Sequence, residues 1–183
     1  MLKSIRNLSL GLLLSVAALP LAAANLSATA TPEARTAEQV RRQIAKLPFL
    51  SVFDNISFTL QDGVVTLDGD VYRRSLRKSA ERVALQVEGV TRVENNIEFL
   101  PVSNFDDQIR VQLARALFTH PALDRYSLQA NPPIRIIVRN GNVTLAGVVN
   151  REMEKNVAGV LANQIHGVFS VTNDLRVEIP SKS

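Results

Sequence analysis

Four cations, Arg73, Arg74, Arg77 and Lys78, crowd one short stretch with two hydroxyls, Ser75 among them and Ser79 just after. The stretch reads as the start of a helix, where free N–H groups and the positive end of the dipole favour an anion. A helix start normally carries acidic residues; this one carries the opposite sign. That pattern calls either for a phosphate held by the cations, Ser75 and the helix start, or for a solvated face balanced by nearby carboxylates. Asp68 and Asp70, on the preceding strand, are the internal candidates for that balance. Four cations near an anionic surface supply about 4 kcal/mol at about 1 kcal/mol each, a weak attachment without apolar help. The connection from Pro48 to Phe53 offers that help: Phe49 and Phe53 would wedge into a bilayer interface, or else plug the mouth of a core.

Other chemistry is thinly represented. Ser75 and Lys78 have the spacing of a serine-x-x-lysine motif, but no lysine-threonine-glycine element follows and the surrounding unit is small. The two histidines, His120 and His166, belong to different elements and form no local ligand motif. Asp68 and Asp70 share a strand face without the further groups that glycosidase or calcium chemistry requires. Cysteine is absent, which removes disulfides and thiolate metal sites. We therefore read no catalytic residue, no metal site and no cofactor, and expect a protein that is not an enzyme.

These residues sit in a repeated framework. Asp62 to Val71 returns as Asn140 to Val149 at a shift of 78 positions, as do Gly89-Val90 and Asn95 in Gly167-Val168 and Asn173. Each copy must therefore be one folding unit. Val40, Ile44 and Leu47 follow a Thr36–Gln39 capping box at helical spacing; Ile109, Leu113 and Ala116 form the second stripe, with Asn104 and Asp107 at the cap. Alternating strands at Ile56–Leu60 and Ile134–Val138 lead into Asp62-Gly63 and Asn140-Gly141, strong type I′ hairpin signals. Gly69 and Gly147 on the return strands predict a close approach by a helix. Second helices over Ser75–Val87 and Arg151–Ile165 end at Gly89 and Gly167, and final strands run over Thr91–Leu100 and Ser170–Ile179. The fold class is α+β: two tandem αββαβ units, each a small three-stranded mixed sheet with two helices on one face.

Hairpin, helix, Gly-Val and Val-x-Asn in this order resemble the BON domain, in tandem, over nearly all of residues 36–180. The resemblance implies the fold above and a secreted bacterial envelope protein similar to osmotically inducible periplasmic proteins. It brings no catalytic residues. What it implies is binding, to phospholipid membranes or to envelope proteins.

Residues 1–24 have the form of a cleavable signal peptide: a basic start, an apolar run from Leu8 to Leu21 and small residues from Ala22 to Ala24. Ala28 to Ala30 offer a second cleavage site. A periplasmic destination follows. Residues 25–35 read as a mobile lead-in, 36–101 as the first domain and 102–180 as the second. Losing Lys3 and Arg6 with the leader lowers the formal charge of +4 by two, and the interspersed signs do not mark a nucleic-acid binder. The spacer from Pro101 to Asn104 is short enough to hold the copies side by side, as a pseudo-twofold pair.

The copies differ in two further ways. The second carries nine extra residues within 119–133, including Tyr126 and three prolines, which form either a recognition loop or a packed cover. Thr59, Asp68 and Asp70 on the outer sheet face become Ile137, Ala146 and Val148, an apolar patch. It would bury against the first copy, against another subunit in self-association, or against an envelope partner. Two functions follow: binding of anionic phospholipid headgroups by the first copy, or a protein-interaction, adaptor or chaperone-like role using Ile137, Ala146, Val148 and Tyr126.

Overall fold

The computed structural model describes residues 31–129 and 131–178; the signal peptide and its cleavage region lie outside the described residues. Each copy is helix, hairpin, helix, strand. The first contains α1 (Pro32–Ala45), β1 (Asn55–Gln61), β2 (Val64–Val71), α2 (Ser75–Leu85), β3 (Arg92–Asn95) and β4 (Glu98–Phe99). The second contains α3 (Asn104–Thr119), a 3₁₀ turn (Asp124–Leu128), β5 (Ile134–Arg139), β6 (Asn142–Val149), α4 (Glu152–Asn163) and β7 (Ser170–Val177).

In both sheets the central strand pairs antiparallel with its hairpin partner and parallel with the last strand. The hairpins turn where expected, with positive φ at Asp62, Gly63, Asn140 and Gly141. The last strand of the first copy breaks between β3 and β4, both of which pair with β2. Asn95 sits at that break: its amide donates to the Arg77 carbonyl at 2.9 Å, tying strand to helix. Asn173 does the same to the Lys155 carbonyl at 2.7 Å. The repeated asparagine is thus a structural clasp.

Two separate cores result. Val40, Val65, Leu67, Val71, Leu76, Ala80 and Ala84 are fully buried in the first; Ile109, Leu113, Leu117, Ile136, Leu145, Ala158 and Leu175 in the second. The α3 stripe thus runs through Leu117, a full turn beyond Leu113, and Ala116 is only half-buried.

Several expectations need correction. Helix α1 starts four residues before Thr36, with Thr31 as its cap, so the first domain reaches back into the supposed lead-in. Thr36 instead donates to the Glu88 carbonyl at 3.1 Å. The cap of α3 is Ser103, whose hydroxyl accepts from the Asp106 amide. Gly69 and Gly147 make room for backbone. A Cβ at Gly69 would lie 2.0 Å from the Asn55 carbonyl oxygen, and one at Gly147 1.8 Å from that of Pro133.

The copies pack together, and the described contacts run largely from the first copy's connection after α1 to the second copy's sheet. The connection after α1 in the first copy seats on the edge of β5 in the second. Val52 and Phe53 pack against the second core, and the Ile136 amide donates to the Val52 carbonyl at 2.7 Å. Arg135 donates to the Ser51 carbonyl at 2.9 Å. Arg139 pairs with Asp70 and with Glu98. Tyr72 donates to Asp107 at 3.2 Å, beneath the Arg110 guanidinium 5.1 Å from its ring centre.

Gly147→Ala tests the backbone approach. With φ at +113° and no space for a methyl, the substitution is expected to cost about 3 kcal/mol or more, read as a lower urea midpoint at unchanged m-value.

Candidate anion and membrane site

Among the described residues, three of the four α-helices begin with the usual complement. Thr31 caps α1, which carries Glu33 in its first turn; Ser103 caps α3, which carries Asp106 and Asp107. Helix α4 opens with Glu152 and Glu154, and Glu154 accepts from the Asn150 and Arg151 amides at 3.0 and 3.2 Å. Helix α2 has none of this. Its cap position is Arg74 in helical geometry, no side chain accepts from its first amides, and its first turn holds no acid. The positive end of this helix faces outward beside further positive charge.

The cations are organised by aromatic faces rather than by carboxylates. Arg73 lies over the Phe49 ring at 5.2 Å; Arg74 and Arg77 lie over Phe99 at 4.7 and 5.6 Å. A guanidinium stacked by its face keeps its N–H edge available to a phosphate. Arg77 is half-buried and donates to the Asn95 carbonyl at 3.0 Å, whereas Arg73, Arg74, Ser75 and Lys78 are exposed. Among the described residues none of the four cations has a carboxylate partner within 4.0 Å. The expected neutralisers are engaged elsewhere: Asp70 with Arg139, and Asp68 with the Asn96 amide at 3.2 Å.

The greasy connection divides. Phe49 is 68% exposed and held at φ +68°, a left-handed conformation unusual for a bulky side chain. Phe53 turns inward, against the second core and edge-on to Tyr72 at 6.5 Å between ring centres. The structure thus brings Phe49 to the cations and places Phe53 between the copies.

The apolar patch is also largely internal. Ile137 is 6% exposed, and Ala146 and Val148 are half-buried. Ala146 borders a cleft of about 650 Å³ between the copies. Tyr126 is 3% exposed within the second core, and its hydroxyl donates to Glu154 at 2.6 Å. Within the insert Leu123 is buried beside Tyr126 in the second core, while Leu128 is exposed.

Four buried polar residues escape the sequence reading: Asp54, Asp106, Arg110 and Glu154. Asp106 accepts from the Asn140 and Gly141 amides and so pins the second hairpin to α3. Asp54 accepts from the Ser51 amide and hydroxyl and from the Tyr72 amide. The amide equivalent to that of Tyr72 belongs to Asn150, which donates to Glu154 and to the Tyr126 hydroxyl. One backbone need is met from the loop in one copy and from the helix plus insert in the other. The repeat comparison carried a signal for this, since Leu76 stands where Glu154 does.

Burial pushes the Glu154 carboxyl up, but the bonds from Tyr126 and Asn150 and the nearby Arg125 outweigh it and hold the group below its ordinary range. Its stabilising contribution is complete above the unfolded value near 4.3 and is lost as pH falls through the lower folded value. Glu154→Gln is expected to cost about 1–3 kcal/mol at neutral pH and to flatten the acid limb of stability measured by urea titration below about pH 4.3.

Among the described residues no group of three or more His, Asp or Glu side chains is placed to hold a metal ion, and no helix is long and apolar enough to cross a membrane. A sequence model of the BON domain matches residues 32–101 and again 105–179. No curated protein matches the chain. Similar solved structures include one of CdsD, described as a structural protein of the type III secretion system of Chlamydia trachomatis, and one of its C-terminal domain. They show 13% and 14% identity, each with a TM-score of 0.27, and cover 77% and 78% of this chain and 91% and 96% of theirs. At those TM-scores the likeness constrains neither fold nor function.

Proposed function

From the premise that this chain belongs to the BON-domain family, we propose that its first domain attaches it to anionic phospholipid headgroups. The family is non-catalytic, and membership supports a membrane-associated role in the envelope. The finer reading is a periplasmic protein, exported by residues 1–24 and acting in envelope or osmotic stress, that docks with the start of α2 toward the bilayer. Arg73, Arg74, Arg77 and Lys78 supply charge, Ser75 and the first α2 amides bind phosphate oxygens, and Phe49 enters the acyl boundary.

One observation supports this above the rest. The only described helix with neither cap nor acid at its start is the one surrounded by cations that lack carboxylate partners. Four cations contribute about 4 kcal/mol and burial of Phe49 about 2 kcal/mol more. Together they correspond to an affinity on the order of tens of micromolar, a reversible attachment. The left-handed conformation at Phe49 costs about 1–2 kcal/mol, consistent with an aromatic kept for a purpose other than stability.

Flotation with vesicles containing phosphatidylglycerol tests the reading. Binding is expected at low salt and should fall steeply as the Debye length shrinks from about 30 Å to about 8 Å. Replacing the four cations with glutamate should abolish flotation; wild-type behaviour in that variant would refute the site. Phe49→Asn should weaken binding about thirtyfold while leaving the melting temperature unchanged or slightly higher, because asparagine tolerates the left-handed conformation.

A further inference from the structure

An asparagine followed by glycine readily loses its side-chain amide, because a glycine leaves its own nitrogen unshielded from the preceding carboxamide. The chain has one such pair, Asn140-Gly141, at the tip of the β5–β6 hairpin. Its equivalent in the first copy is Asp62-Gly63, which already carries an acid. Both turns take the same left-handed backbone, with φ at +52° and +77° in the second copy and +48° and +78° in the first. The turn therefore accepts either side chain, and the copies differ in what stands beside it.

In the second copy that neighbour is Asp106. Its buried carboxylate accepts from the Asn140 amide at 2.9 Å and from the Gly141 amide at 2.8 Å. The nitrogen that would attack the Asn140 side chain is thus bonded to a charged group on α3. To attack, it must leave that bond, lose its proton beside a negative charge and rotate out of the turn. In the first copy the residue equivalent to Asp106 is Ala37, which has no acceptor to offer. Thr36 and Phe105, which stand against Gly89 and Gly167, fix that alignment of the helices. The pairs are matched: an acid on the turn goes with alanine on the helix, and an amide on the turn goes with an acid. Acids at both places would set two carboxylates against each other.

We propose that Asn140-Gly141 is a deamidation site kept latent by Asp106. When the bond is open, the Gly141 nitrogen attacks the side-chain carbonyl carbon of Asn140, gives up its proton and expels ammonia, closing a cyclic imide. Water then opens the imide at one carbonyl or the other and leaves aspartate or isoaspartate. Either product breaks the pin between α3 and the hairpin. Aspartate brings a second negative charge to Asp106. Isoaspartate adds a methylene to the main chain between Arg139 and Asn142, which face each other across the hairpin, and disturbs its register. The residue after Asp106 is Asp107, which accepts from the Tyr72 hydroxyl of the first copy, so loss of the pin reaches the contact between the copies. The site lies apart from the α2 cations and does not depend on the lipid reading.

Peptide mapping by mass spectrometry, after prolonged incubation of the full mature chain in mildly alkaline buffer, follows the site directly. Each event replaces an amide with an acid, and chromatography separates aspartate from isoaspartate. Folded wild-type protein should deamidate at Asn140 at least about tenfold more slowly than the same chain unfolded in urea, because reaction proceeds through the open state. Asp106→Ala, which puts the first copy's residue on the helix, should speed the folded chain at least about tenfold while its circular dichroism stays native. Equal rates in folded and unfolded wild type would overturn the proposal. A folded Asp106→Ala chain as slow as wild type would overturn it too, since the turn alone would then give the protection. A urea series on the wild type needs no variant: the deamidation rate should rise in step with hydrogen exchange at the Gly141 amide, and a rate that stays flat while that amide opens would refute the role of its bond. Asn140→Asp should lower the melting temperature, and adding Asp106→Ala should recover part of the loss; an unchanged melting temperature would show that the product leaves the pin intact, against the proposal.

Discussion

The carboxylate of Asp54 holds together the part of the molecule on which the rest relies. It is wholly buried and binds the Ser51 amide, the Ser51 hydroxyl and the Tyr72 amide, so one side chain fixes both the connection after α1 and the end of β2. With the connection fixed, Val52 can meet the β5 edge and Phe53 can enter the second core. With Tyr72 fixed, its ring and hydroxyl reach Arg110 and Asp107, and the next residues in the chain are Arg73 and Arg74. Repeat packing and the direction in which the cations point are thereby set by the same buried group.

That arrangement explains how duplication yielded two unlike halves. Shared residues are those the fold requires: the hairpin turns, the glycines under the neighbouring backbone and the asparagines clasping helix to strand. Where the halves diverge, each met a common structural need with different atoms. The second spent its helix start on stability, with Glu154, Tyr126 and Arg125 closing a buried cluster. The first left its helix start bare and shifted the equivalent bonding to Asp54, so no acid or side-chain cap sits at the α2 mouth.

Much of this was legible in the chain. The repeat, the α+β class, the hairpin positions and both helices of each unit follow from periodicity and turn chemistry, because those signals are local. The α2 cations were visible for the same reason: four of them are a departure from the rule for helix starts. The partners of Asp68 and Asp70 were not, since proximity along the chain suggested Arg73 and Arg74 while Asp70 found Arg139 in the other repeat. Phe49 and Phe53 looked equivalent because composition does not reveal which of two neighbouring aromatics turns inward. The outer patch was seen as apolar, but the sequence did not show that Ile137 is buried while Ala146 and Val148 are half-buried.

Ribosomes release the amino-terminal half first. Val52 and Phe53 belong to that half, yet their resting place is the core of the other, made from residues 109 to 175. For the interval in which only the earlier module exists, two greasy side chains and the polar backbone around them have nothing to sit on. The newborn molecule thus passes through a sticky stage that the finished one conceals, and that stage lasts until the chain has been made as far as Leu175.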